Sequence, residues 1–108
     1  YESLTRDNEV AGAELAFGRP VRTHLDIAKA RVVLALDTDI LRCHPNALRH
    51  SRDWAVAREP NKDSMVRLYS FESIYTITGA NADHRIAVRP GEMAGVLAMI
   101  EKFVDEGL

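Results

Sequence analysis

Thr76, Thr78, Asn81, Asp83, His84 and Arg85 fall within ten residues. Together they carry two hydroxyls, an amide, a carboxylate, an imidazole and a guanidinium, a set able to donate and accept hydrogen bonds around a polar ligand. They follow directly on an apolar run, so the segment reads as a site or a former one. A structural use is the commoner fate of such a segment. In it Thr76 and Thr78 bond the backbone of a turn, Gly79 supplies a positive φ, and Asp83 pairs with Arg85.

Other chemistry is thinner. Asp37, Asp39, His44, Asp83 and His84 are donors of the kind a divalent ion takes, but spacing alone does not bring three of them together, so no metal ligand is assigned. A helix cap or a turn is the commoner fate of Asp37 and Asp39. There is no Gly-x-Ser-x-Gly elbow, no Gly-x-Gly-x-x-Gly turn and no Walker loop after a strand, and no catalytic residue is assigned. Cys43 beside His44 could form a thiolate pair, although a small packed residue is the commoner fate. Trp54 reads as core.

Composition bounds the rest. The 108 residues are 46% hydrophobic and 28% charged, with a net charge of −2, which fits one globular domain over residues 1–108. Arginines at 42, 49, 52, 58, 67, 85 and 89 are interleaved with acids, so nucleic acid is not an expected partner. A single cysteine excludes an internal disulfide and a cysteine-based zinc or iron–sulfur site within these residues. No apolar stretch reaches the roughly 20 residues that span a bilayer, so direct membrane insertion is not expected. Tyr1 is not an initiator methionine and no apolar leader precedes it, so the chain reads as a piece of a longer one.

Several elements must position the candidate residues. A helix is expected from Asn8 to Phe17, with Val10, Ala13 and Phe17 on one side and a stop at Gly18 and Pro20. Thr23 and Asp26 fit a capping box that opens a brief helix to about Ala30. Val32–Leu36 is a continuous apolar run, the pattern of a strand covered on both faces, and is the expected centre of the domain. A helix over Pro45–Arg58 with Ala47, Leu48, Trp54 and Ala55 on its stripe comes next, then a polar connection from Glu59 to Ser64. Val66–Glu72 reads as a second strand and Ile86–Val88 as a third. Met93, Val96, Leu97, Ile100, Phe103 and Val104 recur at helical spacing, ended by Gly107.

The alternation predicts an α/β fold, a three-layer sandwich in which a small parallel sheet is flanked by helices and joined by right-handed crossovers. In such sheets ligands lie beyond the carboxyl ends of the strands. That rule selects Asp37-Thr38-Asp39 and the connection from Ser73 to Arg85, whose 13 residues exceed the usual two to six or so.

The residues also resemble a family. Asp7-Asn8, Gly12 to Gly18, Leu25-Asp26, Ala30 and Val33 to Leu41 carry the first part of the likeness. Met65 to Tyr69, Glu72-Ser73, Thr78-Gly79-Ala80 and Ala82-Asp83-His84-Arg85 carry the rest. In order and spacing they resemble the molybdopterin-oxidoreductase-like part of the iron–sulfur subunit of bacterial alternative complex III, a quinol-oxidising respiratory assembly. The wider superfamily has an Ala-Asp-x-x-Leu-Pro element where this chain reads Ala82 to Ala87. The final proline is missing and His84-Arg85 stand at positions that are usually apolar, so pterin contacts are not carried over.

The resemblance implies a fragment of a longer subunit whose molybdopterin-like half holds no molybdenum cofactor, while iron–sulfur clusters lie in a ferredoxin-like half. It implies Tat-type export and a place on the periplasmic face of the cytoplasmic membrane, held by the subunit's remaining domains and by membrane and cytochrome subunits. The expected role is that of a non-catalytic structural or assembly domain, with no cofactor in this segment. One alternative is part of a true molybdopterin-binding oxidoreductase, with Thr78, Asn81 and Asp83 on the pterin or nucleotide. Another is a free-standing module for a small ligand.

Overall fold

The computed structural model describes residues 7–59 and 65–107; the expected connection from Glu59 to Ser64 lies, from Pro60 on, outside them. Helix α1 (Asp7–Phe17) ends where Gly18 turns left-handed at φ 75° and donates its N–H to the Glu14 carbonyl at 2.8 Å. Only a residue without a Cβ takes that conformation at no steric cost, so the expected stop is met. The capping box at Thr23 does not form. A single 3-10 turn, Ile27–Lys29, replaces the brief helix, and Asp26 before it makes no side-chain cap bond. Ile27 is the one residue of this turn that the core takes in.

Strand β1 (Val32–Leu36), helix α2 (Ala47–Ala57), strand β2 (Arg67–Glu72), helix α3 (Ile77–Asn81), strand β3 (His84–Ala87) and helix α4 (Met93–Gly107) complete the chain. The strands are parallel in the order β1-β2-β3. The fold is therefore mixed α/β, a small three-strand parallel sheet flanked by helices, as its alternating pattern predicts. The middle strand, however, is β2. The apolar run of β1 forms an edge, with Val32 60% and Leu34 41% exposed, so its continuity does not reflect cover on both faces.

Register explains which residues go inside. Val33 pairs with Leu68, Ala35 with Ser70, and Ser70 with Arg85, and alternation puts these with Glu72 on one face. That face meets the core of Ile27, Ala35, Ile40, Leu41, Trp54, Val66 and Leu68. Helix α2 turns His50 and Trp54, four residues apart, inward. Leu48 lies off that stripe and is 90% exposed, a correction to the expected face.

Between Ser73 and Arg85 the expected long loop is instead a short helix and a strand start. Helix α4 has the expected extent, but its stripe is open, with Phe103 67% exposed, and its main packing is on the 3-10 turn Pro90–Glu92 just before it. Among the described residues no helix is long and apolar enough to cross a membrane.

These environments give a direct expectation. Leu68→Ala should lower unfolding free energy by about 2–5 kcal/mol, while Leu48→Ala should stay within about 0.5 kcal/mol. Urea unfolding of both variants checks it, and equal losses would refute the placement of α2.

Candidate functional site

The carboxyl ends of β1 and β2 bring together the two segments selected by the strand-end rule. Glu72, the last residue of β2, is 2% exposed. An isolated carboxylate there would be costly, so its partners matter. Oε1 accepts from Thr76 Oγ1 at 2.6 Å and from Ser70 Oγ at 3.2 Å. Oε2 accepts from the Thr76 N–H at 3.1 Å and from Arg85 Nε at 2.6 Å. Burial alone would raise the Glu72 pKa, but Thr76, Arg85 and Ser70 together hold it below its ordinary value of 4.5.

The start of α3 is built on this group. Thr76 is the N-cap, and its Oγ1 accepts from the Gly79 N–H at 3.1 Å. The Thr78 N–H and Oγ1 both donate to Asp39 Oδ1, at 3.2 and 2.6 Å. Thr78 Oγ1, fully buried, also accepts from the Leu41 N–H at 3.1 Å. The first amides of the helix, which could have faced an anionic ligand, are thus met by the chain's own acids and threonine. Asp37, at φ 51°, uses Oδ1 to accept from the Ser73 N–H and Oγ at 3.2 and 3.1 Å.

Thr76 and Thr78 do bond backbone, as the structural reading expects, but Thr78 does so across the site rather than within a turn. Gly79 has no positive φ; it is needed because a Cβ there would overlap the Glu72 carboxylate. Asp83 does not pair with Arg85. Its Oδ1 lies 3.0 Å from Arg58 Nη2, and its Oδ2 accepts from the Leu68 N–H at 2.9 Å and from Arg58 Nη1 at 3.1 Å.

Against the cost of burial, the Leu68 amide, Arg58 and His84 keep Asp83 below its ordinary value of 3.8. Ser70, beside Arg85 in the ladder, faces Glu72 from the same side, and this side-by-side placement is why Arg85 finds Glu72 instead of Asp83. Arg85 also lies over the Tyr75 ring at 4.7 Å. His84 stacks on Tyr69 at 5.0 Å. Asn81 folds back on its own helix, donating to the Ile77 carbonyl at 2.8 Å. The six candidates therefore divide: Thr76, Thr78 and Arg85 gather on Glu72 and Asp39, Asp83 and His84 stand apart with Arg58, and Asn81 bonds only within its helix.

Sequence reading missed Glu72 as the centre and missed His50, which is fully buried. Its Nδ1 lies 2.9 Å from the Ile40 carbonyl, and since a carbonyl only accepts, Nδ1 carries the proton. Nε2 has no partner among the described residues, and the His44 ring lies 4.6 Å away. Cys43 is exposed, a correction to its expected packing. Among the described residues no three His, Cys, Asp or Glu side chains are grouped to hold a metal.

An open groove of about 820 Å³ lies elsewhere, over β1. Asn8, Glu9, Thr23, Asp26, Asp37, Thr38 and His44 supply its polar lining. No family model matches the sequence, and no curated protein matches it.

Two outcomes follow from the geometry. Gly79→Ala should cost about 1–3 kcal/mol by forcing Glu72 from its donors, measured by urea unfolding; an unchanged midpoint would contradict the close approach. Glu72 and Asp83 both titrate lower when folded, so the unfolded chain binds more protons below their ordinary values. Their stabilisation is full above pH 4.5 and is lost as pH falls through the lower folded values. Unfolding free energy should thus decline as the pH falls below that range, and Glu72→Gln should flatten the decline. Parallel curves for variant and parent would refute the assignment.

Proposed function

We propose that this chain is a non-catalytic α/β domain of an iron–sulfur oxidoreductase subunit resembling that of alternative complex III. In this reading the old cofactor-facing connection braces the domain, and electron transfer takes place in other parts of the subunit. The observation that carries it is the inward use of the strand-end chemistry: Glu72, Asp39 and Asp83 engage Thr76, Thr78, Arg85 and Arg58.

The residues do not fit a pterin dinucleotide. Its diphosphate calls for free amides or cationic side chains, whereas carboxylates meet the α3 amides and Arg85 is held by Glu72. Thr78 and Asp83, two of the residues a retained site would use, are already bonded within the chain. The molybdopterin-binding alternative is accordingly the less supported. Tat-type export, a periplasmic station and contact with membrane and cytochrome subunits belong to the proposal through the sequence resemblance alone.

The test is elemental and pterin analysis of the intact subunit purified from its host. Iron without molybdenum or pterin is expected; molybdenum with pterin would overturn the reading. Asp83→Ala should lower folding or assembly while the complexes that do assemble turn over normally. Normal assembly with abolished turnover would assign Asp83 to the chemistry and sink the scaffold role.

A further inference from the structure

We propose that the open edge of β1 is an interface for a second copy of this chain, the two edge strands pairing antiparallel about a two-fold axis at Leu34. The inference goes beyond the scaffold reading and does not depend on it. Ladder geometry fixes which backbone groups are open. The Arg31 carbonyl accepts from the Arg67 N–H at 3.0 Å, and the Asp37 N–H donates to the Phe71 carbonyl at 2.6 Å. In a parallel pair alternate residues make the bonds, so Arg31, Val33, Ala35 and Asp37 turn their backbone groups to β2. Val32, Leu34 and Leu36 point theirs away from the sheet, where no backbone partner meets them among the described residues. The approach is open, since the same three residues line the groove over β1.

A row of unpaired backbone groups is a template for another strand, and edges that stay single are blunted by charged residues, proline or a bulge. The other edge is blunted: β3 carries His84 and Arg85 within its four residues. β1 reads Val-Val-Leu-Ala-Leu and has no such device. The occupant follows from the sequence of the edge itself. With the axis at Leu34, that residue faces its own copy, while Val32 faces Leu36 of the second copy and Leu36 faces Val32. All three open residues then exchange backbone bonds, and each of these cross-strand contacts is apolar. An axis at Val32 or Leu36 would leave part of the open row without a partner. The same register sets Arg31 opposite Asp37 of the second copy, and symmetry supplies that pair of opposite charges twice, once at each end of the contact. A two-fold contact of this kind closes on itself, so assembly stops at two copies.

Sedimentation velocity of the whole chain tests the state of assembly, and amide hydrogen exchange locates the contact. A reversible monomer–dimer equilibrium is expected, because a pair of five-residue strands falls at the small end of specific interfaces. As the dimer fills, the amides of Val32, Leu34 and Leu36 should become protected, whereas those of Val33 and Ala35, bonded to β2 in either state, should not change. Leu34→Lys sets two ammonium groups against each other at the axis and should abolish the dimer. Arg31→Glu should weaken it about tenfold through its two exposed pairs; Arg31 is exposed, so this variant keeps the test decisive if Leu34→Lys fails to fold. Phe103→Glu, on the open stripe of α4, should leave the dimer intact. A chain that is monomeric at about 1 mM would overturn the proposal. So would assembly beyond two copies, protection that does not alternate along β1, a dimer that neither edge variant weakens, or one that Phe103→Glu abolishes.

Discussion

The carboxylate of Glu72 is the constraint around which this domain is arranged. A charged group at 2% exposure persists only if donors surround it, because the desolvation cost falls on the whole fold when any partner is missing. Four donors reach it, from Ser70, twice from Thr76, and from Arg85. Each imposes geometry. Thr76 must start α3 directly above β2, Gly79 must lack a side chain where the helix passes the carboxylate, and β3 must hold the register that sets Arg85 beside Ser70. One acid thus fixes a helix start and a strand register. Neither would follow from the propensity of five residues of helix and four of strand.

The same logic recurs at the other connections. Asp37 and Ser73 join the carboxyl ends of β1 and β2, and Asp39 with Thr78 ties the segment after β1 to α3, with the Leu41 amide on the same hydroxyl. At the opposite end of the sheet Arg58 spans the Val66 carbonyl and Asp83, while Asp83 and Leu68 exchange backbone and side-chain bonds. The apolar cluster runs between these polar seams. Hydrophobic burial is non-directional and tolerates several arrangements, whereas a charged, fully bonded seam tolerates few. Specificity of the strand ends is therefore assigned to the seams, and the bulk of the favourable free energy to Leu68, Trp54 and their neighbours.

What the sequence disclosed depended on whether the signal was periodic or positional. The extent of α4 was legible because six apolar residues keep helical spacing over three turns, and the stop of α1 because glycine at position 18 suits a left-handed cap. Strand β1 was legible as a strand but not as an edge, since an apolar run is the same whether a second layer covers it or not. Helix α3 was missed because five residues carry no periodicity, and the acids that meet its first turn, Asp39 and Glu72, lie 39 and four residues from the groups they accept from. His50 was hidden for a related reason: a histidine on a helix becomes core only through a carbonyl ten residues away.

The candidate residues teach a further point about reading sites. Density of reactive side-chain types singled out residues 76–85, and the structure joins Thr78 to Asp39 after β1 and Thr76 and Arg85 to Glu72 at the end of β2. Yet their proximity is what satisfies them, since Thr78 gives its hydroxyl proton to Asp39 while accepting from Leu41, and Arg85 faces a carboxylate that cannot be left alone. A ligand competing for these groups would have to replace short, partly buried bonds, and the chain would bear the loss of its strand-end geometry. The space over β1 differs in kind, being open, apolar at its floor and acidic at its rim. Crowding of polar residue types is therefore no measure of readiness for a ligand, because the same crowding lets the groups satisfy one another.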